Sequence, residues 1–263
     1  MKKLEKLIQS GEKLLIPYIT PDFPFKGVTE QLVPKLESIG IKVIELGIPF
    51  SDPLADGPTI QQSSMVAIEN GCTLTRVLEL AGWISENTSV AVVLMGYVNP
   101  LLQFGLERFY KTAAEKGVQG LIIPDIPLDE AEPHVKLGQQ YGIANIFLVA
   151  PTTKSERISK ISDNSTLFSY CVSMNGVTGN QALNTDFLRT NLANVAKFHS
   201  KPYVVGFGLS QPSDIRAVLS LAQGAVVGSA LIKAMAGAKT TDAAVEAGVQ
   251  FLTPLAGVLN EFR

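Results

Sequence analysis

The chain has 263 residues, of which 46% are hydrophobic and 17% charged, and its formal net charge is −2. That composition excludes a disordered chain. No block of basic residues points to nucleic acid or to an anionic membrane surface.

The chain opens with MKKLEKLIQSGEKLLIPYIT. Glu5, Gln9, Glu12 and Lys13 interrupt any signal-peptide apolar core, and Leu4, Leu7 and Ile8 share one face of an amphipathic helix. Short apolar runs then recur at fairly even spacing: KLLIPYI, KVIEL, VAVVLMG, GLIIPDI, NIFLVAP, LFSYCVS, KPYVVGFG and GAVVGSA. They are nearly continuous in apolar residues, as strands of a parallel sheet covered on both faces should be. Between them lie stretches of helical period, including 29–39, 73–86, 106–116, 129–141, 186–198 and 213–221. Gly40, Gly117, Gly142 and Gly224 stand where a glycine closes a helix before the next strand. The longest uncharged apolar stretch, residues 90–105, is broken by Gly, Asn and Pro, so it reads as a strand and loop and not as a membrane span.

Eight strand–helix alternations in a chain of this length predict a (β/α)8 barrel with an extra N-terminal helix, one domain over 1–263. The rival is an open doubly wound sheet. No linker, low-complexity segment or charge run marks a second domain. The two cysteines, Cys72 and Cys171, make no CxxC, and a reduced, cytoplasmic chain is the default.

In such barrels the chemistry sits at the C-terminal ends of strands and on the loops that follow. Glu45 interrupts the second run. With Ile44 and Leu46 toward the helices, Glu45 points into the barrel, where apolar neighbours favour its neutral form and suit it to acid–base work. The plainer reading is a buried glutamate satisfied by a hydroxyl or an arginine. Asp52 and Asp56 follow on a Pro- and Gly-rich loop, where aspartates are usually turn formers; their interest is that this loop overhangs Glu45. Asp125, near the end of the fourth run, is placed to contact substrate. Three glycine-rich segments, NGVTG, GFGLSQPSDI and GSALIKAM, follow the last three strands, where backbone N–H groups and a helix N-terminus can hold a phosphate. The two histidines, His134 and His199, fall in helical stretches and are expected at the surface, with no metal cluster built on them. No lysine ends a candidate strand, so a Schiff-base aldolase is not expected.

The segment ELGIPFSDPLADGPTIQ resembles the signature of the tryptophan synthase α subunit family. PYIT, LMGYVNP, DIPLDE, GVTG, GFGLS and VVGSALI follow in that family's order, over nearly the whole chain. The resemblance implies a (β/α)8 barrel that cleaves indole-3-glycerol phosphate to indole and glyceraldehyde 3-phosphate by a retro-aldol reaction, without cofactor or metal. It implies Glu45 as the main acid–base group and Asp56 as acceptor of the indole N–H. Gly179, Gly208, Gly228 and Ser229 would hold the phosphate. Tyr18, Tyr170 and Phe207 would line the indole pocket, and Thr178 would bond Asp56 when its loop closes. Asp52 would face a β subunit that carries pyridoxal phosphate and receives indole in an α2β2 heterotetramer. A stand-alone lyase that releases free indole is the alternative, and a non-catalytic phosphate-binding barrel is a third reading. Two departures stand out: Met174 where many members carry arginine, and PDFP at 21–24 where many read AGDP.

Overall fold

The structure is a computed structural model, and it describes residues 2–172, 185–206 and 208–262. In chain order the elements are α1 (Lys3–Gln9), β1 (Leu14–Ile19), α2 (Val28–Ser38), β2 (Val43–Gly47), α3 (Pro58–Glu69), α4 (Leu74–Asn87), β3 (Ala91–Met95), α5 (Val98–Phe104), α6 (Leu106–Glu115) and β4 (Val118–Ile122). They continue with α7 (Glu132–Tyr141), β5 (Ala144–Ile146), β6 (Leu148–Val149), α8 (Ser155–Asn164), β7 (Ser169–Val172), α9 (Thr185–Phe198), β8 (Tyr203–Gly206), α10 (Pro212–Leu219), β9 (Gly224–Val227), α11 (Ser229–Ala236) and α12 (Thr241–Gly257).

All strands belong to one parallel sheet, in the order β5-β4-β3-β2-β1-β9-β8-β7-β6. Its two ends, β5 and β6, are consecutive in the chain and separated only by Phe147. The expected fifth strand is therefore one run bent at Phe147, and the eight-stranded barrel closes through it. At this seam one side-chain hydroxyl and one backbone carbonyl take up the bonds at the bend. Phe147 N–H donates to Ser165 Oγ at 3.4 Å, and Tyr170 N–H donates to Phe147 O at 2.9 Å.

Strand residues alternate between two apolar layers. Leu14, Ile16, Val43, Ala91, Val93, Ile122, Ile146, Tyr170, Val204 and Val226 fill the barrel interior. Their neighbours Leu15, Ile44, Leu46, Val92, Leu94, Leu121, Cys171, Val205 and Ala225 pack under the helices. Period-2 alternation thus persists although both faces are apolar. Leu4 and Ile8 of α1 join the interior cluster and plug the N-terminal end of the barrel. A Cβ on Gly120 would lie 3.5 Å from Leu4 Cδ2 and 2.9 Å from Ile146 Cδ1, so a larger residue there would crowd the plug.

Several expectations need correction. Gly40, Gly117 and Gly142 have positive φ and close helices as expected, but Gly224 opens β9, pairing with Leu14 and Val204. A Cβ there would stand 2.9 Å from Val204 Cγ1, so close packing and not a cap accounts for it. The expected loop after β3 holds the helix α5, with Pro100 in its first turn, where proline costs no helical bond. Both histidines are buried, not at the surface. His134 Nδ1 lies 3.1 Å from Tyr110 Oη. His199, just past α9, bonds Ser169 Oγ through Nε2 at 2.7 Å and Lys201 O through Nδ1 at 2.8 Å. Because a carbonyl only accepts, Nδ1 carries the proton and Nε2 accepts from Ser169. Such partners offset the cost of burying a polar ring. Among the described residues no helix is long and apolar enough to cross a membrane.

Candidate active site

Glu45 lies one residue before the last but one position of β2, paired in register with Tyr18 on β1 and Val93 on β3. It is 2% exposed. Burial first, and the nearby charge of Asp56 second, push its carboxyl up to about 8. At neutral pH Glu45 is therefore a protonated acid inside the barrel mouth.

Asp56 comes from the loop between β2 and α3. The loop is ordered by its own backbone: Leu54 N–H donates to Asp52 O and Asp56 N–H to Pro53 O, each at 3.0 Å. Gln61 Nε2 then holds Asp56 O at 2.9 Å, and Pro58 starts α3 at a position where its missing N–H costs nothing. Asp56 is half-buried. Desolvation raises its carboxyl to about 6, against the opposing pull of a hydrogen bond from Tyr97. Tyr97 Oη donates to Asp56 Oδ2 at 3.0 Å and accepts from Ala55 N–H at 3.0 Å.

Tyr97 is the residue that sequence reasoning missed. It lies inside LMGYVNP, just past β3, and a tyrosine two residues beyond a strand's C-terminal end was the available signal. Phe50 packs on its ring at 5.4 Å between centroids. Asp125, exposed after β4, supports the same region: its carboxylate accepts Val98 N–H, at 3.0 Å to Oδ1 and 3.3 Å to Oδ2, where α5 begins.

Tyr18 and Tyr170 complete the interior wall. Both phenols are pushed well above their ordinary value, by burial first and then by the charges of Glu45 and Asp56. Mutual electrostatic influence places Tyr18, Glu45, Asp56 and Tyr170 in one cluster. Glycine makes room for the rings. A Cβ on Gly47 would stand 2.2 Å from Tyr18 Oη, and one on Gly206 would stand 1.8 Å from Tyr170 Oη.

Beyond Tyr18, on the strands next to β1, Gly228 precedes Ser229, which begins α11, and Gly208 follows β8 with φ of +78°. The free N–H groups of the α11 N-terminus therefore open beside the carboxylates' end of the barrel. Asp52 is exposed on the β2–α3 loop, where Ser51 Oγ donates to its Oδ2 at 2.5 Å. Thr178, Gly179, Phe207 and Met174 lie outside the described residues.

A closed parallel barrel with two desolvated carboxyls, Glu45 and Asp56, at the C-terminal ends of its strands belongs to the (β/α)8 class. A sequence profile described as "Tryptophan synthase alpha chain" matches residues 4–256. The chain belongs to the tryptophan synthase alpha chain family. It is 39% identical over 258 residues to the tryptophan synthase alpha chain of Prosthecochloris aestuarii, covering 95% of this chain and 97% of that one. It is 45% identical over 228 residues to the alpha chain of Chloroflexus aurantiacus, covering 86% of each. The solved tryptophan synthase subunit alpha of Legionella pneumophila superposes with a TM-score of 0.89 at 31% identity over 99% of both chains. A chain from ligand-free tryptophan synthase of Mycobacterium tuberculosis gives 0.86 at 26% identity, over 98% of this chain and 99% of that one.

Proposed function

We propose that this chain is the α subunit of a cytoplasmic tryptophan synthase. It cleaves indole-3-glycerol phosphate to indole and glyceraldehyde 3-phosphate and passes indole to a β subunit, in an α2β2 heterotetramer whose pyridoxal phosphate belongs to β. The observation that carries this reading is the split pair: Glu45 is pushed up to about 8 and Asp56 only to about 6. Near pH 7 one carboxyl can give a proton while the other holds a charge.

In the proposed reaction, Glu45 gives its proton to the indole ring carbon that bears the glycerol chain. Asp56 accepts the indole N–H and stabilises the positive charge that develops on the ring. The Glu45 carboxylate then takes the proton of the neighbouring glycerol hydroxyl. The carbon–carbon bond breaks, its electrons return to the ring, the aldehyde forms, and Glu45 ends protonated as it began. No electron acceptor and no cofactor enters this sequence. Tyr18, Tyr170 and Phe207 line the indole pocket, and Asp125 contacts substrate from the β4 side. Gly179, Gly208, Gly228 and Ser229 take the phosphate, helped by the α11 N-terminus. Thr178 meets Asp56 as its loop closes and excludes water.

The test is indole formation by Glu45→Gln with saturating β subunit. A loss of about 10²–10⁴-fold is expected for a general acid–base group. Near wild-type release of indole by this variant would remove Glu45 from the mechanism.

A further inference from the structure

On the outer flank of the barrel, α3, α11 and the β1–α2 loop leave a cleft of about 560 Å³ between them. That size falls within the roughly 300–1,000 Å³ of ordinary small-molecule sites. The cleft is separate from the barrel interior. Phe23 and Ile232, which line it, belong to the apolar layer under the helices, and Phe25 and Val66 pack against that layer. None of its lining residues belongs to the interior cluster around Leu14, Val93 and Val226.

The walls are held by bonds that need no occupant. Asn70 Nδ2, at the end of α3, donates to Asp22 O at 2.9 Å and to Pro24 O at 3.0 Å. Phe23 N–H donates to Thr20 O and Val28 N–H to Phe25 O, each at 3.3 Å. These bonds seat the Phe23–Pro24–Phe25 wall against α3. Ser63 Oγ lies 2.7 Å from Thr20 Oγ1 and so ties α3 to the end of β1. Past α11, Ala238 N–H donates to Met235 O at 3.1 Å, which fixes the turn that leads to Lys239. A site whose walls are already formed loses little affinity to ordering them.

The chemistry of the lining is one-sided. Lys233 of α11 and Lys239 just beyond it both line the cleft, and among the described residues no acidic side chain does. Thr59 and Gln62 of α3 add a hydroxyl and an amide, and the β1–α2 loop adds two phenyl rings and Pro24. An apolar wall that accommodates a ring, beside two ammonium groups, is complementary to an amphiphilic anion. Lysine acts as a point charge without the fork of arginine, so a phosphate and a carboxylate both suit it.

We propose that this cleft is a second binding site of the chain, for a small organic anion with a ring-sized apolar body and a terminal phosphate or carboxylate. The ring lies against Phe23, Phe25 and Val66, and the anionic group sits by Lys233 and Lys239. The site is independent of the reaction proposed above and stands or falls without it.

The experiment is methyl NMR of protein labelled at isoleucine and valine, with Val66→Ile and Ile232→Val identifying the two cleft signals. Phenyl phosphate and benzoate are titrated into the millimolar range. Inorganic phosphate, which lacks the ring, and benzyl alcohol, which lacks the charge, are the controls. The Val66 and Ile232 signals should shift and saturate with both aryl anions, the tighter of the two naming the preferred anionic group, and should move far less with either control. Lys239→Glu changes an exposed side chain and should weaken the aryl anions by roughly fivefold, the worth of an exposed charge contact. Ala236→Trp fills the cleft from α11 and should abolish the cleft shifts. Unchanged melting temperatures show that both variants are folded. An aryl anion that reached only the barrel interior would instead move the Val93 and Val226 signals and would ignore both variants. That result, or a drift of the cleft signals without saturation, overturns the site. Binding of benzyl alcohol equal to that of the aryl anions overturns its preference for charge.

Discussion

Glu45 pays for its chemistry in stability, and the sign follows from its raised carboxyl. In the unfolded chain it ionises near 4.5, and in the folded barrel near 8. Between those values the folded state binds the extra proton, so stability is full below pH 4.5 and falls as pH rises toward 8. Glu45→Gln cannot ionise and should unfold at higher temperature than wild type at pH 8, by an amount worth on the order of a few kcal/mol. Near pH 4 the two should be about equal. Calorimetry at both pH values checks this. In the proposed reaction the same two carboxyls set the activity profile. Turnover needs Asp56 ionised and Glu45 protonated, so kcat/KM should rise through about 6 and fall through about 8. A profile without an alkaline limb near 8 would contradict a protonated Glu45. This residue was legible in the sequence because it broke a period-2 apolar run on the side its neighbours left open. Tyr97 was not, since a buried tyrosine after a strand is ordinary packing until its hydroxyl is seen to reach Asp56. The histidines misled for the related reason that polar residues at the edges of helical stretches are mostly exposed. Only tertiary contacts, Tyr110 for His134 and Ser169 for His199, account for their burial.

At the scale of elements, the β2–α3 loop and the β3–α5 turn hold one another. Asp56 is fixed by Tyr97, Tyr97 by Ala55 N–H, and the start of α5 by Asp125. Removing the phenol in Tyr97→Phe takes away the hydrogen bond that lowers the Asp56 carboxyl. Its midpoint should climb, so the acid limb of the pH profile should move upward and the active window should narrow from below. An unchanged acid limb in this variant would separate Tyr97 from Asp56 function. A second clamp acts on the loop after β1. Asp22, at φ of +56°, is almost fully buried and accepts from Arg76 Nε of α4 at 3.0 Å. Arg76 also pairs with Glu30 of α2 at 2.5 Å, and Asn70 Nδ2 donates to Asp22 O and Pro24 O. This cluster occupies the PDFP departure seen in the sequence and gives that loop a rigid seat. Arg76→Ala should cost about 3–5 kcal/mol, because Asp22 would be left buried without its partner. Chemical denaturation reads that loss. The strands and glycine caps of the barrel were legible because each is a local pattern, whereas the Asp22–Arg76 pair spans 54 residues and has no local mark.

At the scale of the whole molecule, the barrel presents two unlike ends. The N-terminal end is sealed by α1. Leu4 N–H donates to Gln119 Oε1 at 2.8 Å, and Gln223 Nε2 reaches the carbonyls of Leu7, Ile8 and Glu12. The C-terminal end carries the site and leaves its loops outward. Among the described residues the most exposed large hydrophobic side chain is on the β2–α3 loop: Leu54 is 87% exposed, and Asp52 nearby is exposed as well. A lone exposed leucine is ordinary on a protein surface. Here it lies two residues from Asp56, on a loop whose backbone bonds tie Leu54 to Asp52 and Asp56 to Pro53. A β subunit seated on Leu54 and Asp52 would therefore bear on Asp56 through two to four peptide units. Binding and catalysis would be coupled as a population shift, limited by the difference in affinity of β for the two loop states. Leu54→Asp places a charge in the contact without touching Asp56 or Tyr97. It should weaken the α–β complex by tenfold or more and reduce the stimulation of indole formation that β provides, while the pH limbs near 6 and 8 stay in place. Size-exclusion chromatography and indole formation across a titration of β measure both quantities. Undiminished complex formation by Leu54→Asp would move the partner surface to another face of the barrel.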